Sequence, residues 1–277
     1  MKAFVLQMCS QPSWQDNINF VRQSLQQSTE PLNNAVVVLP ECFATFGGRE
    51  KNNFSLAENM TIEPTEDSAL LALSEIAKQH RIYLVAGTFP ILAKDNRVKP
   101  MTMVFAPTGE LISHYQKIHL FDVDVDDATG SYRESDTWQP GESISYFDTP
   151  WGRIGLAICY DLRFPALFQK LTELGCKAVV LPSAFTEKTG SAHWQVLIRA
   201  RAIENQIFMI ACDQSGIHQN NRETHGHSMI VDPWGQVLVD AEKNIGLFSA
   251  TLNMETLQKV RQAMPVGQHN KFNVQFK

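Results

Sequence analysis

A mixed α/β fold of sheets layered with helices is what this sequence predicts. Three observations carry that expectation. Short apolar runs of strand length recur along the chain, stretches with apolar residues three or four apart lie between them, and Pro/Gly turns divide the later strands. Of the 277 residues, 44% are hydrophobic and 19% charged, so a large core can be buried. No stretch reads as a linker, and residues 1–277 are expected to form one domain.

The elements follow in order. Residues 3 to 8 and the run from Ala35 to Leu39 read as buried strands, with Ile18, Val21 and Leu25 marking one helix face between them. Leu70, Leu73 and Ala77 mark a helix ending near His80, and Ile82 to Ala86 supply the next strand, so parallel strands with covering helices are implied. From 101 to 117 the pattern is strand, turn at Pro107-Thr108-Gly109, strand, a hairpin that makes the sheet mixed. Asp122 to Gly141 is acidic and Gly/Ser-rich, reading as a long surface loop over a site.

After a turn at Thr149 to Gly152, Arg153 to Ile158 reads as a strand, followed by the apolar stripe Phe164, Leu167, Phe168, Leu171 and Leu174 closed by Gly175. Ala178 to Leu181 and Ile207 to Ala211 are further strands, separated by a helix marked by Val196, Ala200 and Ile203. Strands around Met229 to Val231, Val237 to Val239 and Leu247-Phe248 precede a helix with Met254, Leu257 and Arg261. Two helix-flanked, β-rich halves imply a pseudo-symmetric sandwich.

The net charge is −5 without a run of Lys or Arg, which excludes the electrostatic footprint of a nucleic-acid or polybasic membrane binder and leaves a small molecule as the expected partner. The first apolar stretch is too short and polar for a signal segment and no window approaches a membrane span, so the cytoplasm is the expected compartment. Five cysteines lie scattered without CxxC or zinc-ligand spacing, as expected of reduced thiols.

Three strand ends carry reactive groups. Glu41 ends the apolar run Val36 to Pro40, where desolvation makes a carboxylate a better base; the alternative is a surface Glu. Cys159 ends Ile154 to Ile158 immediately before a helix whose dipole would favour a thiolate; the alternative is a core filler. Lys117 ends a strand where an ammonium can stabilise a developing oxyanion; the alternative is a rim Lys. Base, cation and thiol together are the parts of acyl transfer.

Other residues have simpler readings. His225 and His227 share a strand face but lack a third metal ligand, and no cofactor or metal is expected. Arg199 and Arg201 can take a substrate carboxylate or pair with Glu204 on the helix surface. Cys42 reads as packing, and Trp194 as either pocket wall or core.

Leu39-Pro40-Glu41, Lys117-Ile-His-Leu-Phe-Asp122, Gly155-Leu-Ala-Ile-Cys159-Tyr-Asp-Leu-Arg-Phe-Pro165 and Gly226-His-Ser-Met-Ile-Val-Asp-Pro-Trp-Gly235 resemble the motifs of the carbon-nitrogen hydrolase (nitrilase) superfamily, in order and spacing, over essentially the whole chain. The resemblance implies an αββα sandwich of two mixed sheets flanked by helices, a Glu41-Lys117-Cys159 triad and a homodimer or higher homo-oligomer. It also implies Glu134 as a second acid beside Lys117 and the Tyr160 backbone N–H as oxyanion donor. At branch level, Cys159 to Pro165, Pro182 to Thr186 and Gly190 to Trp194 resemble the deaminated glutathione amidases, with ω-amidases next. Phe121, Arg163, Ser183, Phe185, His193 and Trp194 are then candidates for the substrate pocket. The stretch Asp124 to Gly130 departs from that branch in being longer and more acidic.

The chemistry so implied is attack of the Cys159 thiolate on the carbonyl of a small primary amide, a thioester intermediate, and hydrolysis to an acid, as in metabolite repair. Alternatives are ω-amidase action on α-ketoglutaramate, another aliphatic amidase or nitrilase, and a catalytically silent binding protein on the same fold.

Overall fold

Residues 1–48, 51–58, 68–95, 97–126 and 130–275 are described by the computed structural model. In the first half the elements are β1 (Lys2–Gln7), α1 (Trp14–Gln26), β2 (Val36–Val38), α2 (Lys51–Glu58), α3 (Ala69–His80), β3 (Tyr83–Val85), β4 (Phe89–Leu92), β5 (Val98–Phe105) and β6 (Leu111–Gln116). A short hairpin, β7 (Asp122–Asp124) and β8 (Ser131–Arg133), leads to a 3₁₀ turn at Glu134–Asp136. The second half holds β9 (Tyr146–Thr149), β10 (Gly152–Leu156), a 3₁₀ turn at Cys159–Arg163, α4 (Pro165–Glu173), β11 (Cys176–Ser183), α5 (Glu187–Asn205) and β12 (Phe208–Asp213). It closes with β13 (Ser215–Ile217), β14 (Glu223–His225), β15 (Met229–Val231), β16 (Val237–Asp240), β17 (Gly246–Thr251), α6 (Met254–Ala263) and α7 (Val266–His269).

Two mixed sheets stack face to face. In the first, β1, β2 and β3 are parallel, β17 pairs antiparallel with β1, and β5 carries β3, β4 and β6 antiparallel. In the second, β10, β11 and β12 are parallel, extended antiparallel by β9 on one side and by β15 and β16 on the other. The same plan of three parallel strands with antiparallel flanks is the pseudo-symmetry expected from the two β-rich halves.

Period-two alternation decides which layer each strand residue enters. Ala3, Val5, Val36 and Val38 face the second sheet, joining Ile154, Leu156, Val180 and Ile210. Phe4, Leu6, Val37 and Leu39 face the other way, against Ile18, Val21 and Leu25 of α1 and Leu70, Leu73 and Ala77 of α3. Each such buried side chain contributes about 1.5–3 kcal/mol of transfer free energy. Helices α4 and α5 cover the outer face of the second sheet through Leu167, Phe168, Leu171, Trp194, Ile198 and Ala202. The result is the αββα sandwich.

Several details differ from the sequence expectation. Helix α5 begins at Glu187 and buries Gly190, Trp194, Ile198, Arg201 and Ala202, while Val196 and Ile203 point to solvent. Of the residues expected to form the stripe, Val196 and Ile203 lie on the outer face and Ala200 is half-buried, and a series in which Trp194, Ile198 and Ala202 alternate with Gly190 and Arg201 packs instead. The stretch Asp122 to Gly141 is not a plain loop: its described residues form β7, β8 and the Glu134–Asp136 turn, while 127–129 lie outside the described residues. Short elements α2, β4, β13 and β14 carried no clear periodic signal.

Candidate active site

Glu41 lies just beyond β2, 5% exposed, in a tight corner of chain. Its carbonyl accepts from Gln214 Nε2 (2.9 Å), and Gln214 is itself pinned by two bonds to Ser10. Cys42 follows at φ 57°, its N–H donating to Thr88 Oγ1 (2.7 Å). Gly87, at φ 48°, allows this corner to close: a Cβ there would lie 2.1 Å from the Pro40 carbonyl oxygen. The Cys42 thiol is pushed far up by burial and by the neighbouring Glu41 charge, and Cys42 is partly buried and lines the larger cavity beside the site, where pure packing was expected.

Lys117 follows β6 and is 1% exposed. Its Nζ donates to Glu41 Oε1 at 2.8 Å and to Glu134 Oε1 and Oε2 at 3.1 and 2.9 Å. Burial opposes the ammonium, but the charges of Glu134 and Glu41 outweigh it and hold the lysine well above its ordinary range. Glu134, on the turn after β8, also accepts from the Phe121 N–H at 2.8 Å, which ties the β7–β8 hairpin to the ammonium.

Cys159 stands three residues beyond the end of β10 at φ 44°, a strained conformation for a non-glycine residue. The thiol lines the same small cavity as Glu41 and Ala184, close enough for the Glu41 charge to act on it. Contrary to the expected helix-stabilised thiolate, a 3₁₀ turn separates Cys159 from α4. Burial first, then the Glu41 charge, raise the thiol well above its usual range, only partly countered by Lys117.

Asp161, fully buried, joins the two halves of this arrangement. It accepts from Ile158 N–H (2.9 Å), the Tyr115 hydroxyl (2.8 Å), the His119 N–H (3.1 Å) and lies 2.7 Å from His119 Nδ1. Tyr115 and His119 flank Lys117 two residues to either side, so one carboxylate fixes the Cys159 turn against the Lys117 segment.

A small cavity opens over the thiol. Of the expected residues, Glu41, Glu134, Cys159, Tyr160, Phe121, Arg163 and Phe185 line it, and Lys117 lies beneath. Ala184, Thr186, Thr189 and Arg222 line it as well and were not foreseen. Thr186 caps α5, accepting from Thr189 N–H at 3.3 Å, a pairing legible in the Thr-x-x-Thr spacing. Arg222 sits in a polar turn with no such signal.

Other candidates fall outside the cavity lining. Ser183 is buried, its hydroxyl donating to Leu181 O, and Trp194 is core, its indole donating to His227 O at 2.7 Å. His193 is exposed, with Nδ1 3.2 Å from Arg163 Nη1. Arg201 bonds Leu162 O and Glu204, and Arg199 bonds Gly235 O, so both serve the scaffold. His225 and His227 stack at 4.7 Å beside Glu187 and Asp240 respectively. Among the described residues, no three His, Cys, Asp or Glu cluster to hold a metal, and no helix is long and apolar enough to cross a membrane.

An αββα sandwich presenting a buried carboxylate, ammonium and thiol at its strand ends defines a hydrolase of carbon–nitrogen bonds. The chain belongs to the carbon-nitrogen hydrolase family, whose model matches residues 3–262. It is 38% identical over 272 residues to the deaminated glutathione amidase of Yersinia enterocolitica, covering 97% of this chain and 92% of that one. With the omega-amidase NIT2 of Homo sapiens it shares 37% over 250 residues, 90% of this chain and 85% of that one. The crystal structure of Saccharomyces cerevisiae Nit3, a member of branch 10 of the nitrilase superfamily, matches with TM-score 0.83 at 31% identity, covering 98% of this chain and 97% of that one.

Proposed function

We propose that this hydrolase is a cysteine amidase with a Glu41-Lys117-Cys159 triad, acting on amides of a 2-oxo dicarboxylic acid, with deaminated glutathione as first substrate and α-ketoglutaramate as second. The observation that carries the reading is the convergence of three buried groups: Lys117 Nζ lies 2.8 Å from Glu41 Oε1, and the Cys159 thiol lines the same small cavity as Glu41. Similarity to chains named deaminated glutathione amidase and omega-amidase supports the substrate class.

Glu41 removes the thiol proton as sulfur attacks the amide carbonyl, and the oxyanion is taken by the Tyr160 N–H and Lys117. Lys117 already meets three carboxylate oxygens, so it must yield one contact to the oxyanion. Protonated Glu41 passes its proton to the leaving nitrogen, and a thioester remains. Glu41 then deprotonates water, the hydroxide attacks the thioester, and the acid and the thiol are released. Glu134 holds Lys117 in register throughout.

The amides of deaminated glutathione are secondary, so the leaving group there is a dipeptide amine; ammonia leaves only from α-ketoglutaramate. The common product, 2-oxoglutarate, is therefore what the assay should read. Turnover by the wild type that vanishes in a folded Cys159→Ala variant is expected; activity surviving that change refutes the mechanism, and no 2-oxoglutarate from either amide refutes the substrate class. One domain over 1–277, a homodimer and the cytoplasm complete the reading, the last supported by five free, scattered thiols.

A further inference from the structure

Arg222 lies where the cavity over Cys159 meets a larger neighbouring cavity of about 310 Å³, and it lines both. Its guanidinium is held between two rings, 5.0 Å from the centroid of Phe46 and 5.0 Å from that of Tyr132. The turn that carries it is closed by Asn221 N–H to His218 O (2.8 Å) and His218 N–H to Arg222 O (2.9 Å). That turn is seated against Gly47, where a Cβ would come 2.9 Å from Gln219 N. The cation is thus presented in a fixed orientation.

Its Nε is buried without a hydrogen-bond partner. Among the described residues no carboxylate pairs with it, and the two carboxylates of the cavity are engaged by Lys117. A desolvated donor left unpaired costs free energy unless a ligand completes it. The formal charges point the same way. Glu41 and Glu134 stand against Lys117, Arg163 and Arg222, leaving the site one positive charge in excess. Arg163 already faces His193 Nδ1, whereas the planar fork of Arg222 is open to a planar, bidentate anion.

We infer that Arg222 is a specificity-determining residue that binds the carboxylate on the acyl half of the substrate. This rests on the amidase reading above: deaminated glutathione and α-ketoglutaramate share that acyl half and differ in what leaves. Arg222 then selects against neutral amides and holds the acyl chain while the thioester stands.

The test compares wild type, Arg222→Gln and Arg222→Lys, each with its melting temperature, on α-ketoglutaramate and on pentanamide, a neutral amide of equal chain length. Arg222→Gln is expected to lose about 100-fold in kcat/KM on the anionic amide and about threefold at most on the neutral one, the signature of one lost charge-assisted contact. Arg222→Lys falls between, because an ammonium keeps the charge and loses the fork; it carries the comparison should Arg222→Gln fail to fold. Equal losses on both amides, or none on either, overturn the proposal.

A second readout needs no turnover: the alkylation rate of Cys159 by iodoacetate relative to iodoacetamide, followed on the Cys159 peptide by mass spectrometry. That ratio is expected to fall about tenfold when the cation is removed, and an unchanged ratio overturns the proposal. A wild type inert on both 2-oxo acid amides removes the substrate reading, and the alkylation ratio then decides Arg222 by itself.

Discussion

Replacing Glu134 by Gln tests whether Lys117 is positioned by two carboxylates or by one. Glu134 receives three bonds, two from Lys117 Nζ and one from the Phe121 N–H. A Gln of the same shape keeps one acceptor oxygen and turns an NH₂ toward the ammonium, so one or two charge-assisted bonds are lost, each worth ~1.5–3 kcal/mol. The Glu134 side chain is 29% exposed, and solvent screening reduces the net effect to about 1–2 kcal/mol. At ~2–4 °C per kcal/mol for a chain of this size class, the melting temperature falls by roughly 2–8 °C. Turnover is expected to suffer more, by about 100-fold, because a Lys117 freed from one partner no longer holds Glu41 and the oxyanion position in register. Differential scanning calorimetry and 2-oxoglutarate release read the two effects. A folded Glu134→Gln variant with full turnover refutes the role; one that cannot fold shows that the carboxylate serves the scaffold instead.

Two further outcomes follow from the scaffold around the site. His218, packed edge-on to Phe46 and held by Thr224 Oγ1 at 2.9 Å, has its pKa lowered to about 4 by burial, so the folded protein refuses a proton that the unfolded chain accepts below its ordinary value near 6.5. Stability therefore falls as pH drops from 6.5 toward 4, by on the order of 2–3 kcal/mol, and melting curves of His218→Gln should be flatter over that window; parallel curves would sink the assignment. Gly190→Ala should destabilise by about 1–3 kcal/mol in urea unfolding although alanine favours a helix, because its Cβ would lie 2.2 Å from His225 Cγ. Equal or greater stability would contradict that packing.

What could be read along the chain is what local pattern dictates. Runs such as Val36 to Leu39 and Val179 to Leu181 are apolar at every position because both faces of a central parallel strand are covered, and that requirement is written into consecutive residues. Glu41, Lys117 and Cys159 were legible for a related reason: reactive groups gather where such strands end, and each strand end is marked by its own apolar run. The family motifs supplied the grouping, which no single run contains.

The tertiary structure alone decided the rest, since those properties depend on which surfaces meet. The buried face of α5 follows Gly190, Trp194 and Arg201, whose contacts with His225, the His227 carbonyl and the Leu162 carbonyl come from segments 33 to 39 residues away in sequence. The Asp161 carboxylate reads as an ordinary turn residue until Tyr115 of β6 and His119 of the segment after it arrive beside it. Arg222 gave no signal in its polar turn, and it acquires meaning only where Phe46, Tyr132 and the thiol cavity converge on it. Burial and charge pairing are properties of the neighbourhood, and the neighbourhood of a turn residue is not encoded in its own stretch of chain.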